Sequence, residues 1–397
     1  MVGKANLPLN GIKVVDLTHV IAGPYCAAIL SDFGADIIKI EPPVKGERSR
    51  RIMPIIERDG KQMSGLFATL NRNRKGIVIN LKTEEGKIIF KNLVATMDVL
   101  LENFSPGTMD RLGLGYDTLR KINPNLIYVA ISGYGQLEPY TGPYTKWGAN
   151  NAAIQAMSGL MEISGDTNGP PAILGATLGD TIPGLWSVIS TFAALEHRRN
   201  TGEGQFVDVS MYDCLASMCF KSVTDYHITG VPPVREEPWY TTFTTRLKCM
   251  DGYIAVSLWG GAIEPWEQFL NDIGLSDILS HPDFSFMHPG RPDSYEILKK
   301  TLEDWLAKIK KWDAVKILLS FGFTAGVVQN AKDIYDCPQL KKRDLFIELN
   351  DGIGGTIRTL GSPIKFSNMK IRKANPPHLL GQDTEAVLAE LHADHSE

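Results

Sequence analysis

Five short, nearly continuous apolar runs in the first 135 residues constrain the fold of this chain most strongly. Strands that are apolar on both faces are typical of parallel sheets, because helices cover both faces of such sheets. Helical patterns at 23–32 and 84–95 separate some of these runs. The runs themselves occupy residues 13–17, 37–40, 77–81, 99–101 and 126–131. The sequence therefore predicts an α/β fold built on a parallel sheet.

A second kind of pattern begins after an extended, proline-rich linker at 229–239. Asp251-Gly252 separates two strand-like segments, which is a strong signal for a β-hairpin. Helical patterns follow at about 264–273 and 294–311. We expect a smaller α+β domain at 240–329, then a further hairpin near 352–361 and a last helix at 383–391.

Composition argues against several classes of protein. The net charge is −4 and no long basic block occurs, whereas nucleic-acid-binding proteins usually carry a basic stripe. No apolar stretch of about 20 residues predicts a membrane span, and the first residues do not resemble an export signal. The five scattered cysteines suggest reduced core thiols and a cytoplasmic protein. No histidine-rich pattern predicts a metal site.

Asp180 is the most informative single residue. It lies between glycines at the start of an apolar helix predicted at 181–198. One interpretation is an N-cap, because aspartate is a preferred residue there. The other is a nucleophilic carboxylate exposed to a substrate. The two are compatible, since the positive end of a helix should lower the pKa of Asp180 and favour its anion.

Other candidates follow predicted strands, where ligands collect in open α/β sheets. His19 comes after the first strand, and we expect it to contact a ligand rather than to transfer protons. Arg111 could hold a phosphate, or could simply pair with Asp110 or Glu102. A basic cluster indicates either a phosphate-rich ligand or a solvated surface; it comprises Arg48, Arg50, Arg51, Arg72, Arg74 and Lys75. No phosphate-binding glycine motif of ATP- or NAD-binding proteins is present.

Taken together, these segments resemble the class III (family III) CoA-transferases, which include formyl-CoA transferase and carnitine CoA-transferase. The resemblance runs in order along the whole chain, and the combination of motifs is specific although each alone is not. The matching segments are residues 15–24, 34–41, 102–107, 133–135, 178–180, 193–199 with 201–205, and 361–366.

The resemblance implies a large Rossmann-like domain formed by residues 1–228 and 330–397, with the small domain inserted between them. It also implies two interlocked subunits, either identical or related. Asp180 falls on the catalytic aspartate of the family. Positions that line the CoA or active site correspond to His19, Ala22, Asn103, Phe104, Arg111 and Tyr134.

The chain departs from the family at two places where a basic residue often contacts CoA, namely Ser132 and Pro42-Pro43. Phosphate contacts could therefore have moved to Arg48, Arg72, Arg74 or Lys75. Ile21 stands where oxalate-using members carry a glutamine, and residues 236–243 lack their glycine run. These changes predict a less polar pocket, with Trp239 and Tyr240 either forming its walls or packing in the hairpin core.

The implied reaction moves CoA from an acyl-CoA donor, such as succinyl-CoA, to a carboxylic acid larger than oxalate, aromatic or branched. It would pass through an aspartyl anhydride and an aspartyl-CoA thioester at Asp180, with no permanently bound cofactor. One alternative is an α-methylacyl-CoA racemase, which needs a second acid–base group. Asn150 stands at that position, and no histidine occurs between His19 and His197. The other alternative is a noncatalytic CoA-binding subunit of a heteromeric transferase.

Overall fold

A computed structural model describes residues 7–166, 168–235, 242–259, 263–285 and 287–394. The chain divides into two compact units. The larger comprises Met1–Glu162, Ala172–Gly230 and Leu340–Glu397, and the smaller comprises Ile163–Pro171 and Val231–Gln339. The smaller unit thus extends beyond the predicted limits of 240 and 329 at both ends, and it includes a short segment from the middle of the chain.

The larger unit begins with alternating strands and helices. In chain order, the elements up to Gly230 are β1 (Lys13–Asp16), α1 (Ala22–Asp32), β2 (Asp36–Glu41), β3 (Ile55–Arg58), β4 (Lys61–Ser64), α2 (Gly65–Leu70), β5 (Arg74–Val78), α3 (Glu84–Val94), β6 (Val99–Glu102), α4 (Thr108–Arg111), α5 (Tyr116–Leu119), β7 (Ile127–Ser132), α6 (Asn151–Met157), α7 (Leu178–Thr201), β8 (Gln205–Ser210), α8 (Met211–Ala216) and α9 (Phe220–Thr229).

The smaller unit and the end of the chain follow. Their elements are β9 (Thr242–Cys249), β10 (Gly252–Trp259), α10 (Ile263–Asp272), α11 (Pro292–Leu306), α12 (Lys311–Ser320), β11 (Thr324–Val327), α13 (Ala331–Asp336), α14 (Pro338–Lys342), β12 (Phe346–Asn350), β13 (Thr356–Leu360) and α15 (Thr384–Asp394). Short 3-10 helices occupy Arg48–Arg51, Ser217–Cys219 and Ser276–Ser280.

The predicted parallel sheet is confirmed. Six strands form one sheet in the order β5-β2-β1-β6-β7-β8, and every neighbouring pair is parallel. After β1 the chain adds β2 and then β5 on one side of it, and after β6 it adds β7 and then β8 on the other side. The strand order therefore reverses between β1 and β6, and such a reversal opens a crevice at the carboxyl ends of the strands.

Alternate residues of the strands feed two hydrophobic cores, one on each face of the sheet. Val14 and Val129 pack in the core that includes residues of α1, α7 and α8. Val15 and Tyr128 pack in the opposite core, with residues of α3 and α15. This two-sided burial explains why the strands are apolar throughout.

The last segment of the chain covers the edge strand β5. The Gly76 amide donates to the Asp383 carboxylate at 2.7 Å, and the Val78 amide donates to the Thr384 hydroxyl at 3.1 Å. The imidazole of His378 lies directly against Gly76, where an added Cβ would approach its ring to 1.7 Å. Backbone donors of an edge strand that would otherwise face solvent are thereby satisfied.

The smaller unit is a three-stranded antiparallel sheet, in the order β11-β10-β9, packed against helices. The hairpin predicted around Asp251-Gly252 is confirmed, since β9 and β10 pair antiparallel from Cys249 with Gly252. The hairpin predicted near 352–361 also forms, but its first strand, β12, begins earlier, at Phe346.

Three predicted helices have different limits in the structure. Helix α7 begins at Leu178, three residues before its predicted start. The long helix predicted after residue 212 is interrupted by a 3-10 turn between α8 and α9. The helix predicted at 294–311 ends at Leu306, and α12 starts separately at Lys311. None of the described helices has the length and apolar character required to cross a membrane.

Candidate active site

At the crevice between β1 and β6, one side chain bridges the turns that follow the two strands. Asn103 accepts a hydrogen bond from the His19 amide at 2.8 Å and donates one to the His19 carbonyl oxygen at 2.9 Å. The Phe104 ring lies 5.5 Å from the imidazole, centroid to centroid. The predicted contact residues His19, Asn103 and Phe104 are therefore brought together, at the position where ligands bind in this class of sheet.

The His19 imidazole is held neutral. Burial lowers the pKa of His19 to about 4, and the nearby charge of Lys39 acts in the same direction. A neutral ring at physiological pH can donate or accept a hydrogen bond but supplies no positive charge. Contact of His19 with a ligand stays a prediction.

A buried ionic group supports the turn that carries His19. Asp16 accepts hydrogen bonds from the Thr18 amide at 2.8 Å and from Arg74 at 2.7 Å, and Lys39 lies 3.4 Å from the same carboxylate. The two terminal nitrogens of Arg74 also donate to Asn71 and to two backbone carbonyls, whereas its buried Nε has no hydrogen-bond partner among the described residues. Arg74 is thus an internal structural residue, and its contacts leave no guanidinium face for a CoA phosphate.

Asp180 is not the N-cap of its helix, contrary to one interpretation of the sequence. Thr177 occupies the cap position without a side-chain cap, and Asp180 is the third residue of α7. Burial raises the pKa of Asp180 to about 6, whereas the helix end was expected to lower it. Desolvation therefore outweighs the helix dipole at this site. Within the described part of the chain, its carboxylate has no ion pair or hydrogen-bond partner.

Two amide side chains that the sequence analysis did not single out position the start of α7. Asn151 accepts a hydrogen bond from the Gly179 amide at 2.9 Å. Gln155 accepts one from the Leu174 amide at 2.9 Å and donates to Asn151 at 2.9 Å. The segment before Asp180 is therefore tied to α6 by side chains rather than by regular structure. An Asn and a Gln four residues apart on one helix face were the available signal.

Glycines let α7 approach its neighbours closely. A Cβ at Gly179 would lie 2.7 Å from the Asn151 carbonyl oxygen, and a Cβ at Gly184 would lie 2.8 Å from the Ala22 carbonyl oxygen. Gly184 is one turn beyond Asp180, so the amino ends of α1 and α7 lie side by side. Ala22 itself is buried, with 3% of its surface exposed.

Asn150 performs a structural task. Its side chain caps α6 by accepting a hydrogen bond from the Ala153 amide at 2.9 Å. An asparagine engaged in this way cannot supply the second proton-transfer group that a racemase requires. The structure thus assigns Asn150 the role of N-cap of α6.

Aromatic residues follow β7, and a buried carboxyl group, that of Glu102, ends the neighbouring strand β6. Tyr134 is buried, with its ring near those of Tyr144, Trp147 and Tyr212. Glu102 accepts the Phe104 amide at 2.7 Å, and burial raises the pKa of Glu102 to about 7. Gln136, which follows β7, donates to Glu102 at 3.4 Å and so joins the turns that follow β6 and β7.

The basic residues separate into free and paired groups. Arg111 is exposed and contacts only Thr108 and the Pro106 carbonyl oxygen, and Arg48 is also exposed. Among the described residues, no carboxylate lies within 4 Å of either guanidinium. Arg72 instead pairs with Asp32 at 2.6 Å. Lys75 pairs with Glu390 at 2.9 Å and belongs to the amino end of β5, away from His19.

Of the predicted substrate-pocket residues, Ile21 precedes α1 and is half-buried. Trp239 and Tyr240 lie outside the described residues. No cluster of metal-ligating side chains occurs in the described ranges.

Comparison with known proteins places these features in one family. The sequence pattern of CoA-transferase family III matches residues 9–384. The succinyl-CoA:mesaconate CoA-transferase of Haloarcula hispanica is 33% identical, with 96% of each chain covered. The succinate–glutarate CoA-transferase of Agrobacterium fabrum is 31% identical over 97% of this chain and 96% of its own.

A formyl-CoA:oxalate CoA-transferase of Escherichia coli is 33% identical over 97% of this chain and 95% of its own. The fold also matches a crystal structure of a CaiB/BaiF family protein from Brucella suis. The TM-score is 0.88 at 32% identity, and the match covers 97% of this chain and all of the other. The chain belongs to the family III CoA-transferases.

Proposed function

We propose that this protein transfers CoA from succinyl-CoA, or a similar acyl-CoA, to a carboxylic acid larger than oxalate, with Asp180 as the nucleophile. The observation that carries the proposal is the state of Asp180. Its carboxylate is partly desolvated and lacks a neutralising partner among the described residues. Asp180 lies in the first turn of α7, and Gly184 of this helix packs against Ala22 at the start of α1, three residues after His19. The succinyl-CoA-dependent relatives favour the same donor.

Each chemical step exchanges one acyl bond for another. The Asp180 carboxylate attacks the thioester carbonyl and releases CoA thiolate, which leaves an acyl-aspartyl anhydride. The thiolate then attacks the aspartyl carbonyl, releasing the donor acid and leaving an aspartyl-CoA thioester. The acceptor carboxylate attacks that thioester and expels CoA thiolate, which leaves a second anhydride between the acceptor and Asp180. The thiolate then attacks the acceptor carbonyl of this anhydride, which forms the new acyl-CoA and releases the Asp180 carboxylate.

The environment of Asp180 suits this role. A pKa of about 6 leaves most of the carboxylate ionised at pH 7. Because desolvation is what raises this pKa, the anion is poorly stabilised in the resting site and gains by bonding to a carbonyl carbon. A strong ion pair would have had the opposite effect, since it would stabilise the anion before reaction.

Residues around the crevice would hold the CoA portion. We assign the free guanidinium groups of Arg48 and Arg111 to CoA phosphates, because both are exposed and carry no carboxylate partner among the described residues. His19, Ala22, Asn103, Phe104 and Tyr134 would line the remaining contact surface. Arg72, Arg74 and Lys75 are left out of this assignment, since their side chains are engaged elsewhere.

An interlocked dimer, as in the resemblance noted above, is supported by the surface of α9. None of its ten residues is buried, yet Phe220, Val223 and Ile228 are apolar and 65–74% exposed. Apolar surface of this kind usually marks a protein interface. We propose that a second copy of the chain covers α9.

The acceptor is proposed to be branched or aromatic and larger than oxalate. Ile21 places an apolar side chain directly before α1. One of the similar proteins is named a succinyl-CoA:mesaconate CoA-transferase. The relative named for glutarate favours an unbranched acid of similar length. These choices are separable by one assay with matched acceptors.

The test incubates wild-type protein with succinyl-CoA and, separately, with mesaconate, glutarate, oxalate and an aromatic acid such as benzylsuccinate, and identifies products by mass spectrometry. The same assay is run on Asp180→Ala. Asp213→Ala is the matched control, because Asp213 is also the third residue of a helix, α8, and is exposed.

New acyl-CoA made by wild type and Asp213→Ala, and absent with Asp180→Ala, is the expected result. Transfer that survives in Asp180→Ala would refute the nucleophile. Incorporation of solvent deuterium into a branched acyl-CoA without any transfer would instead identify a racemase. Activity that required a second, different chain would identify a heteromeric transferase.

A further inference from the structure

The turn between β1 and α1 contains a strained residue. Val20 has a φ of +66°, which is the left-handed region. β-Branched residues rarely adopt this conformation, and they persist in it where the surrounding structure enforces it, often at functional sites. Val20 lies between His19 and Ile21, two residues assigned to the ligand site. Whatever enforces its conformation therefore also determines where these neighbours point.

One buried carboxylate makes the contacts that hold this turn. Glu47 is fully buried, and its Oε2 accepts the Val20 amide at 3.2 Å and the Ser49 amide at 2.9 Å. Its other oxygen accepts the Ser49 hydroxyl. The same Oε2 lies 3.9 Å from Nδ1 of His19, beyond hydrogen-bond distance. The main connection from Glu47 to the ligand site is thus the Val20 amide.

Glu47 is itself held in place by a second buried carboxylate. The Glu47 amide donates to Glu41 at 3.0 Å. Glu41 also accepts two hydrogen bonds from Arg50, at 2.7 and 2.6 Å, and lies 2.9 Å from Nε2 of His378. Gly46 has a φ of +60°, and a Cβ there would meet Glu41 at 2.6 Å. The loop that presents Glu47 is therefore fixed by packing and by charge.

We infer that Glu47 is a positioning residue for acyl-CoA binding: by holding the Val20 amide, it keeps the 19–21 turn left-handed and directs His19 and Ile21 toward the ligand. This inference rests on the proposed function. Glu47 does not touch the reacting atoms in this scheme. Without its carboxylate, the Val20 amide would lose its buried acceptor, and the turn would relax toward the ordinary negative φ of a valine.

The first experiment compares wild type with Glu47→Met. Methionine keeps the length of the side chain but has no oxygen to accept the hydrogen bonds of the Val20 and Ser49 amides, which both bind the same carboxylate oxygen of Glu47. We expect the KM for succinyl-CoA, and the dissociation constant of free CoA measured by calorimetry, to rise roughly tenfold or more. The kcat and the KM for the acceptor acid should change less than about twofold, a split that general loss of folded protein does not produce.

The second experiment relieves the backbone strain at Val20 by substituting glycine. Glycine adopts a φ of +66° without the penalty that valine meets. Val20→Gly alone should alter CoA affinity little, whereas adding it to Glu47→Met should recover part of the lost affinity. A positioning role thus predicts a non-additive double-mutant cycle. Strictly additive effects of the two substitutions on CoA affinity would overturn the inference.

Asp351→Leu is the matched control. Asp351 is also a fully buried carboxylate that holds the backbone of a turn, since it accepts the Ile353 amide at 3.0 Å and the Gly355 amide at 2.9 Å. The control should lower the melting temperature without the specific rise in KM for succinyl-CoA. If wild type binds no CoA, the proposed function fails together with this inference. If wild type binds CoA and Glu47→Met binds it equally tightly, only the positioning role fails.

Discussion

The two ends of the central sheet use the same charged residue types in different ways. At the amino end, cations pair with carboxylates: Lys75 with Glu390 at 2.9 Å, Arg372 with Asp36 at 3.1 Å, and Arg198 with Asp98 at 2.8 Å. At the carboxyl end, ion pairs also occur but are largely buried, as in Asp16 with Arg74 at 2.7 Å and Glu41 with Arg50 at 2.6 Å. At this end, Asp16, Glu47 and Glu102 each accept backbone amides of turns. Arg48 and Arg111 there have no carboxylate within 4 Å among the described residues.

This difference separates an end where exposed cations are paired from an end that also keeps exposed arginines without a carboxylate partner among the described residues. Paired side chains at the amino end neutralise one another and contribute modestly to stability. Buried pairs and the carboxylates that hold turns at the carboxyl end fix the backbone, and the exposed Arg48 and Arg111 remain available to an anion. Burial and pairing, rather than the type of charge, therefore decide whether an arginine serves the fold or the proposed CoA site.

The largest effect is expected at Asp180. Asp180→Asn should lower the rate of CoA transfer at least about 10³-fold, because the amide cannot form the anhydride. The same variant should melt roughly 1–3 °C higher at pH 7.5, because a carboxylate whose pKa is raised by folding destabilises the native state above that pKa. Turnover and differential scanning calorimetry check the two parts. A variant that retained activity would remove Asp180 from the mechanism.

The second largest effect concerns the buried ionic group below His19. Asp16→Asn would leave Lys39 and Arg74 buried without their shared anion. We expect a loss of about 3–5 kcal/mol in the free energy of unfolding of the larger unit. Urea denaturation followed by circular dichroism measures this loss. Asp36→Asn, which breaks a partly exposed pair at the amino end, should lose less than about 1 kcal/mol.

The dependence of transfer on pH tests the state of Asp180. Its carboxylate must be ionised to react, and its pKa is raised to about 6. The kcat/KM for succinyl-CoA should therefore be level above neutrality and fall below about pH 6, by roughly tenfold per unit of pH. A profile that stayed flat down to pH 4.5 would contradict the raised pKa. Stability measured across the same range excludes acid unfolding as the cause of the fall.

The exposed Arg48 and Arg111 should affect the affinity for succinyl-CoA without affecting the stability of the fold. Arg111→Ala and Arg48→Ala should each raise the KM for succinyl-CoA by roughly tenfold, since each would remove a charge-assisted hydrogen bond to phosphate. Added salt should weaken wild-type binding more than binding by either variant. Arg120→Ala is the control, because Arg120 is an exposed arginine paired with Asp117 at 3.1 Å. An equal change in all three variants would remove the distinction between free and paired cations.

The smallest effect is expected for the pair at the amino end. A double-mutant cycle on Lys75→Ala and Glu390→Ala should give a coupling free energy below about 1 kcal/mol, because both side chains are at least half exposed. Neither variant should change the KM for succinyl-CoA. A clear rise in that KM for Lys75→Ala would return Lys75 to the CoA site, where the sequence pattern had suggested it.

The sequence could predict the sheet but not the use of its charges. Apolar runs define the strands by local pattern, and strand ends locate His19 and Asn103. The pairs that engage Arg72 and Arg74 join residues 40 and 58 positions apart, and Asn151 reaches Gly179 over 28 positions. Such contacts exist only after the chain folds. The raised pKa of Asp180 likewise depends on burial, which no local motif around a helix start reveals.

The cover over β5 has a consequence for synthesis of the protein. Gly76 and the residue that satisfies its amide, Asp383, are 307 positions apart. At typical elongation rates, roughly 15–60 s pass on the ribosome before the covering segment exists. During that interval the outer strand of the sheet is open to pairing with other nascent chains. Efficient production of this protein should therefore depend on chaperone supply, and shortening the chain before Asp383 should lead to aggregation rather than to a smaller active enzyme.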